Sequence, residues 1–237
     1  PVEWDGLRIA FISDIHYGPM FTQQRAVDLI NRVNTHNVDI VLLGGDYGET
    51  TATAIELFKV IPRIKAKIHV LAAIGNHDLN GTREEIEELK NNMLSLGITP
   101  LQNACFTMQR ERGYLRFCST DDTRHGQPDI SILKKDVSPE TFTIFFPHSP
   151  DILPSLTSSG QRMFDLALCG HTHGGQIAFF GLSLHSSSKF GDRYRTGWMQ
   201  ENGHDIMISN GVGTSLIPVR IGAPPQYHII TLKRKED

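Results

Sequence analysis

The chain has 237 residues and a formal net charge of -3; 39% of its residues are hydrophobic and 21% are charged. That length supports a sizeable core and fits one large α/β domain spanning residues 1–237 better than two small ones. The charge balance offers no basic field, so no nucleic-acid partner is expected, and no segment is apolar for long enough to span a bilayer.

Residues 7–12 read as a strand. Residues 22–34 then show helical spacing through Ala26, Val27, Ile30 and Val33, with Thr22 as the cap. Residues 38–43 are apolar except for Asp39, as in a buried parallel strand. A helix over 52–64 and a strand over 68–74 follow. Thr82 and Glu85 form a capping box that opens a helix with the apolar stripe Ile86, Leu89, Met93 and Leu94. This β-α-β-α-β-α opening predicts right-handed crossovers and a largely parallel sheet.

The later part is strand-rich. Residues 105–109, 115–119, 141–146, 167–168, 176–180, 206–208 and 228–232 read as shorter strands, which predicts a second sheet packed on the first. No long Pro/Gly/Ser linker separates domains. The Ser-rich stretch 183–189 reads as a surface loop and the charged stretch 233–237 as a frayed tail. Cys105, Cys118 and Cys169 form no CxxC pair and are odd in number, so neither a disulfide framework nor a Cys-based zinc site is expected. The chain begins at Pro1 rather than Met, which implies a removed leader or a trimmed segment.

Eleven residues are His, and five of them lie in short polar clusters: Asp14-Ile15-His16, Gly45-Asp46, Gly75-Asn76-His77-Asp78, His148, and Gly170-His171-Thr172-His173. Most of these clusters directly follow an apolar run, where an α/β sheet delivers side chains to a shared crevice. Asp14 and His16 are two apart at a strand end, so pleat geometry points both to one face. Asp46 has two carboxylate oxygens and can bridge two ions. Asn76 offers a carbonyl oxygen, while His148, His171 and His173 offer ring nitrogens. A mixed oxygen and nitrogen set suits manganese, iron or zinc better than calcium. Each cluster alone is a weak signal, since Asp-x-His is usually a surface or capping pair and Asn-His-Asp before Gly81 is also a turn sequence. Their conjunction predicts a site for two divalent metals that hydrolyses a phosphate ester.

This series resembles the calcineurin-like metallophosphoesterases, with their Asp-x-His, Gly-Asp, Gly-Asn-His-Asp, single His and Gly-His-x-His motifs. The likeness runs from about Leu7 to Leu232. Gly-His-Thr-His-Gly-Gly-Gln, Pro-His-Ser-Pro-Asp and Gly211-Val212-Gly213-Thr214 look like the branch of bacterial membrane-associated or exported phosphodiesterases that includes UDP-2,3-diacylglucosamine pyrophosphatase-like enzymes. The resemblance implies two mixed sheets packed face to face and flanked by helices, a four-layer sandwich. It implies one metal held by Asp14, His16, Asp46 and His173, and a second held by Asp46, Asn76, His148 and His171. His77 would face the substrate as general acid or stabiliser of the leaving oxygen.

Many members carry Gly-Asp-x-x-Asp, whose second Asp orients the catalytic His; here Glu49 stands at that position, and Asp78 is the competing partner for His77. Arg220 is the candidate phosphate contact, with a surface arginine as the alternative. Met20-Phe21 and Phe179-Phe180 are candidates for an apolar rim against an acyl chain or membrane, with core packing as the alternative. The expected activity is hydrolysis of a phosphodiester or pyrophosphate, on a lipid- or nucleotide-linked envelope substrate; phosphomonoester hydrolysis and a non-catalytic scaffold are the alternatives. Two divalent ions are expected, manganese first, then iron or zinc. A membrane surface is a candidate partner and a monomer the favoured state. A membrane-associated or exported bacterial setting is favoured, with the N-terminal segment missing from this chain; a cytoplasmic setting is the alternative.

Overall fold

Strand β1 (Arg8–Ile12) sends Ile9 and Phe11 to one face and Ala10 and Ile12 to the other, each set into a different apolar layer. It belongs to a computed structural model that describes residues 1–135, 138–158, 160–180, 182–183 and 186–234. Gly181, residues 184–185 of the predicted Ser-rich loop and residues 235–237 of the predicted tail lie outside the described residues.

Helix α1 (Gln23–Asn34) buries Ala26, Ile30 and Val33. Strand β2 (Ile40–Leu43) is buried at every position. Helix α2 (Thr51–Val60) ends four residues before the predicted limit. Pro62 is the reason: it disfavours helical backbone at Ile61, whose φ and ψ are -75° and 148°. Strand β3 (His69–Ala72) leads to helix α3 (Arg83–Ser95), which opens with the expected Thr82–Glu85 capping box. Leu89 and Met93 of its stripe are buried, whereas Leu94 faces out. The short strand β4 (Ile98–Pro100) completes the parallel run β1-β2-β3-β4 and lacked a sequence signal.

The second sheet starts with β5 (Ala104–Arg110), β6 (Gly113–Ser119) and β7 (Thr141–Phe145). Helix α4 (Leu153–Thr157) and strand β8 (Leu166–Cys169) follow. The predicted strand over 176–180 shrinks to β9 (Ala178–Phe179), paired with β10 (Leu182–Ser183), because Gln176 is left-handed at φ 53°. Strands β11 (Gly197–Glu201) and β12 (His204–Ile208) finish the second sheet, and β13 (His228–Thr231) returns antiparallel to β1. The sheet orders are β13-β1-β2-β3-β4 and β11-β12-β8-β7-β6-β5, both mixed.

Three apolar layers stack between these elements. Ala10, Ile12, Val41 and Leu43 pack against helix residues such as Ile30, Leu57 and Leu89. Ile9, Phe11, Leu42 and Leu71 face Phe117, Ile144, Leu168 and Met207 of the other sheet. Phe145, Ala167 and Ile208 pack outward against Leu153, Leu156 and Tyr194. The result is the helix–sheet–sheet–helix order that the resemblance implied. Among the described residues, no helix is long and apolar enough to cross a membrane.

One expectation is corrected. Cys105 and Cys118 form a disulfide, leaving only Cys169 as a free, buried thiol among the described residues. Residues 105 and 118 are register partners on β5 and β6, with Cα atoms 4.1 Å apart, so strand pairing delivers the sulfurs to each other.

Candidate metal centre

The polar clusters sit where strands of both sheets end. Asp14 and His16 follow β1, Asp46 follows β2, and Asn76 and His77 follow β3; His148 follows β7, and His171 and His173 follow β8. Asp14 and His16 converge, though not through the pleat. Strand β1 stops at Ile12, and Asp14, His16, Asp46, His171 and His173 all adopt left-handed backbone, with φ of 55°, 48°, 54°, 71° and 52°. Non-glycine residues at positive φ cost on the order of 1–2 kcal/mol each, and such strain concentrates at functional sites. Glycines make the crowding feasible. A Cβ on Gly75 would collide with the Asp46 carboxylate, and one on Gly170 with the Ser13 hydroxyl and the Asp14 carboxylate.

Ligand-type atoms gather in three overlapping trios, each within 4.8 Å: Asp14, His16 and His173; Asp46, His148 and His171; and His16, Asp46 and His77. Asp46 joins them. Its Oδ2 lies 3.1 Å from His148 Nε2 and 3.6 Å from His16 Nε2, while Oδ1 accepts the His77 main-chain N–H at 2.9 Å. Ring nitrogens face each other in pairs, His16 Nε2 to His173 Nε2 at 3.1 Å and His148 Nε2 to His171 Nδ1 at 3.2 Å. His148 Nδ1 lies 2.8 Å from the Gly44 carbonyl; donation there would leave Nε2 with its lone pair free. Asn76 Oδ1 is buried without a hydrogen-bond partner. Buried acceptors left unpaired are costly, and lone pairs converging this way fit divalent cations.

The electrostatics follow from packing these groups together. Burial, joined by the Asp46 charge, lifts the Asp14 carboxyl above its ordinary range against the pull of His148. Burial also pushes Asp46 upward, but His148 and then His16 outweigh it and hold this carboxyl well below the ordinary range. Burial draws His148 down, yet Asp46 overrides it and raises the ring to about 10. His171 is pushed down to about 3 by burial and then by His148, and His173 well down by burial and then by His16. His171 and His173 are thereby favoured as neutral rings beside an ionised Asp46, whereas the raised His148 ring and Asp14 carboxyl would have to release protons on ligation.

A sequence profile described as "Calcineurin-like phosphoesterase" matches residues 7–175. The chain belongs to the calcineurin-like phosphoesterase family. Its members are metal-dependent hydrolases of phosphoesters with a binuclear divalent metal site, and the Asp/His clusters of this chain are candidates for that site. The chain is 30% identical over 239 residues to the "Uncharacterized metallophosphoesterase YkuE" of Bacillus subtilis, covering 98% of this chain and 81% of that one. It is 26% identical over 227 residues to "Phosphodiesterase YaeI" of Escherichia coli, covering 95% and 82%. A dimetal phosphatase from Danio rerio superposes with a TM-score of 0.53 at 11% identity, covering 87% of this chain and 88% of that one. That last likeness establishes the fold alone.

The groups around the calcineurin-like phosphoesterase centre are placed differently from expectation. His77 Nδ1 lies 2.8 Å from the main-chain carbonyl of Glu49; neither the Glu49 nor the Asp78 carboxylate is its hydrogen-bond partner. The Glu49 carboxylate instead lies 3.7 Å from His16 Nδ1. Asp78 is fully buried and accepts main-chain N–H bonds from Asp46 at 2.8 Å, Tyr47 at 3.0 Å and Gly75 at 2.8 Å, which ties together the two loops that carry the candidate ligands Asp46 and Asn76. Burial and then the Asp46 charge raise Asp78 to about 7 against those bonds.

Arg220 is committed to the protein itself. Its guanidinium donates to the carbonyls of His173 and Ala223 at 3.0 Å and of Asn210 at 2.7 Å, and it contacts His173 Nδ1 at 3.2 Å. It therefore backs a candidate ligand on the side away from His16. Sequence reasoning missed Tyr47, whose buried hydroxyl donates to the Leu43 and Ala73 carbonyls, and Ser13, whose hydroxyl donates to Asp14. Neither position carried a motif signal beyond adjacency to a candidate ligand. Of the two predicted rim pairs, Phe21 is core, while Phe179 and Phe180 are exposed.

Proposed function

We propose that the protein is a binuclear metal-dependent phosphoesterase that cleaves a phosphodiester or pyrophosphate bond. The observation that carries this reading is the position of Asp46 between two groups of buried imidazoles, 3.1 Å from His148 and 3.6 Å from His16. One ion would be held by Asp14, His16, Asp46 and His173, the other by Asp46, Asn76, His148 and His171. The donor set favours manganese, with iron or zinc as alternatives. Two such ions, when bound, neutralise phosphoryl charge and lower the pKa of water toward neutrality.

The chain's own residues do the rest. Asp78, Tyr47 and the left-handed loops fix the ligand positions. The Glu49 carboxylate flanks the His16 ring, and Arg220 packs behind His173. His77 is the proton donor to the leaving oxygen. Its Nδ1–H can rest on the Glu49 carbonyl in both the neutral and the charged ring, so Nε2 is free to carry and release the proton. Such positioned proton transfer is worth roughly 10²–10⁴-fold in rate.

The Escherichia coli relative, a phosphodiesterase by name, supports a diester substrate, and its 26% identity extends along 95% of this chain. A lipid- or nucleotide-linked envelope substrate and a membrane-associated or exported bacterial setting complete the reading. The test is turnover of bis(p-nitrophenyl) phosphate against p-nitrophenyl phosphate, with manganese, iron or zinc supplied. Faster diester cleavage is expected. Faster monoester cleavage would make the enzyme a phosphomonoesterase, and metal-loaded protein inert toward both would overturn the catalytic reading.

A further inference from the structure

Beside the metal centre lies an apolar cleft of about 210 Å³. Thr172 and His173 are among its lining residues, so the cleft and the candidate centre share His173; Ile177, Leu216 and Ile217 supply its apolar surface. Gln176 builds the outer wall. Its Nε2 donates to the carbonyls of Ser215 at 3.0 Å and Ile217 at 2.9 Å, and its Oε1 accepts the Ser215 N–H at 2.8 Å. Leu216, pinned between those two residues, is left-handed at φ 65° and 86% exposed. A leucine in strained backbone that displays its isobutyl group to water is disfavoured twice over. Strain of this kind persists where surrounding contacts impose it, and it clusters at ligand clamps.

The apolar surface extends outward from the cleft. Ile177 forms a bridge with the partly exposed Ile221, and Phe179 and Phe180 follow, 48% and 105% exposed. Among the described residues no Asp, Glu, Lys or Arg lines the cleft, and the Gln176 amide is already engaged with main chain. A sugar or base lodged here would find few free partners.

We propose that this cleft is a subsite for an alkyl chain, so that the enzyme acts on amphiphilic phosphodiesters whose phosphoryl group sits at the metal centre. The proposal rests on the phosphoesterase reading for the position of the phosphoryl group. The occupant follows from adjacency: His173 belongs to both the candidate centre and the cleft, so a substituent on a phosphorus held there would have the apolar wall of Ile217 and Leu216 as its neighbour.

Two measurements test it together. The first is kcat/KM for p-nitrophenyl alkyl phosphodiesters from methyl to hexyl on the manganese-loaded protein. The second is calorimetric binding of inorganic phosphate, butyl phosphate and hexyl phosphate to the same protein. About fourfold per added methylene is expected in both until the cleft is filled. Leu216→Ser and Ile217→Ser should each reduce the hexyl-to-butyl ratio in both measurements. A flat chain-length profile, or a slope that survives in both variants, overturns the subsite and leaves the phosphoesterase reading standing. A slope in binding without hydrolysis of any ester sustains the subsite and overturns the phosphoesterase reading.

Discussion

The Nε2 atoms of His16 and His173 face each other at 3.1 Å inside the protein. A cation between them would take up both Nε2 lone pairs. Removing metal should therefore lower the melting temperature. A ligand at a hundred times its Kd contributes about 2.7 kcal/mol, which is about 5–10 °C for a chain of this size. Scanning calorimetry before and after EDTA, with manganese returned, reads this difference; an unchanged melting temperature would exclude a cation from the pair.

Asp46→Ala and His77→Ala should separate cleanly. The first removes an atom shared by both histidine groups and should lose bound metal and activity together. The second should keep stoichiometric metal by elemental analysis while kcat falls roughly 10²–10⁴-fold. Full activity in His77→Ala would end its assignment as proton donor.

Asp78→Ala should damage folding more than chemistry. It strands three main-chain N–H groups, from Asp46, Tyr47 and Gly75, at about 1–3 kcal/mol each. Urea denaturation should show a loss of about 3 kcal/mol or more, and Asp78→Asn, which keeps one acceptor oxygen, should lose less.

Acid stability should report Glu201. Burial raises its carboxyl, but bonds from Thr157 at 2.6 Å, Tyr194 at 2.8 Å and Arg193 at 2.8 Å outweigh this and set it below 4.5. A carboxyl depressed in the folded state adds stability that is fully present above its unfolded pKa and is lost as pH falls through the folded one. Thermal melts from pH 7 to pH 3 should show Glu201→Gln below the parent at neutral pH, with the gap closing once pH drops under about 4.5. A gap that stays constant over that range would remove Glu201 from the account.

The Cys105–Cys118 bond closes a short loop of sequence separation 13. A loop of that size predicts about 3 kcal/mol of stabilisation. Thiol titration of the unfolded, oxidised protein should find one cysteine, rising to three after reduction, and the reduced protein should melt lower. Three free thiols before reduction would contradict the pairing.

Much of the fold was legible because its signals are local. The Thr82–Glu85 box and the period of Ala26, Ile30 and Val33 each need only a few neighbouring residues. The candidate metal-site residues stood out because strand ends concentrate them in short motifs. What escaped depends on distant geometry. The partner of His77 is a main-chain carbonyl, which every residue possesses and none advertises. Arg220 reads like a surface arginine until the 211–223 segment folds around it. The disulfide appears only once β5 and β6 take their register, and Phe21 differs from Phe180 only by what packs upon it. Strand β4, three residues long, carries too little pattern to stand out beside α3.

The provenance of the candidate ligands has a mechanical consequence. Asp14, His16, Asp46 and Asn76 come from one sheet, and His148, His171 and His173 from the other. Ions held by both groups would act as a clasp across the seam between the sheets. Occupancy of the centre would then be felt as stiffness, with amide exchange slowed at the carboxyl ends of β1, β2, β7 and β8 together.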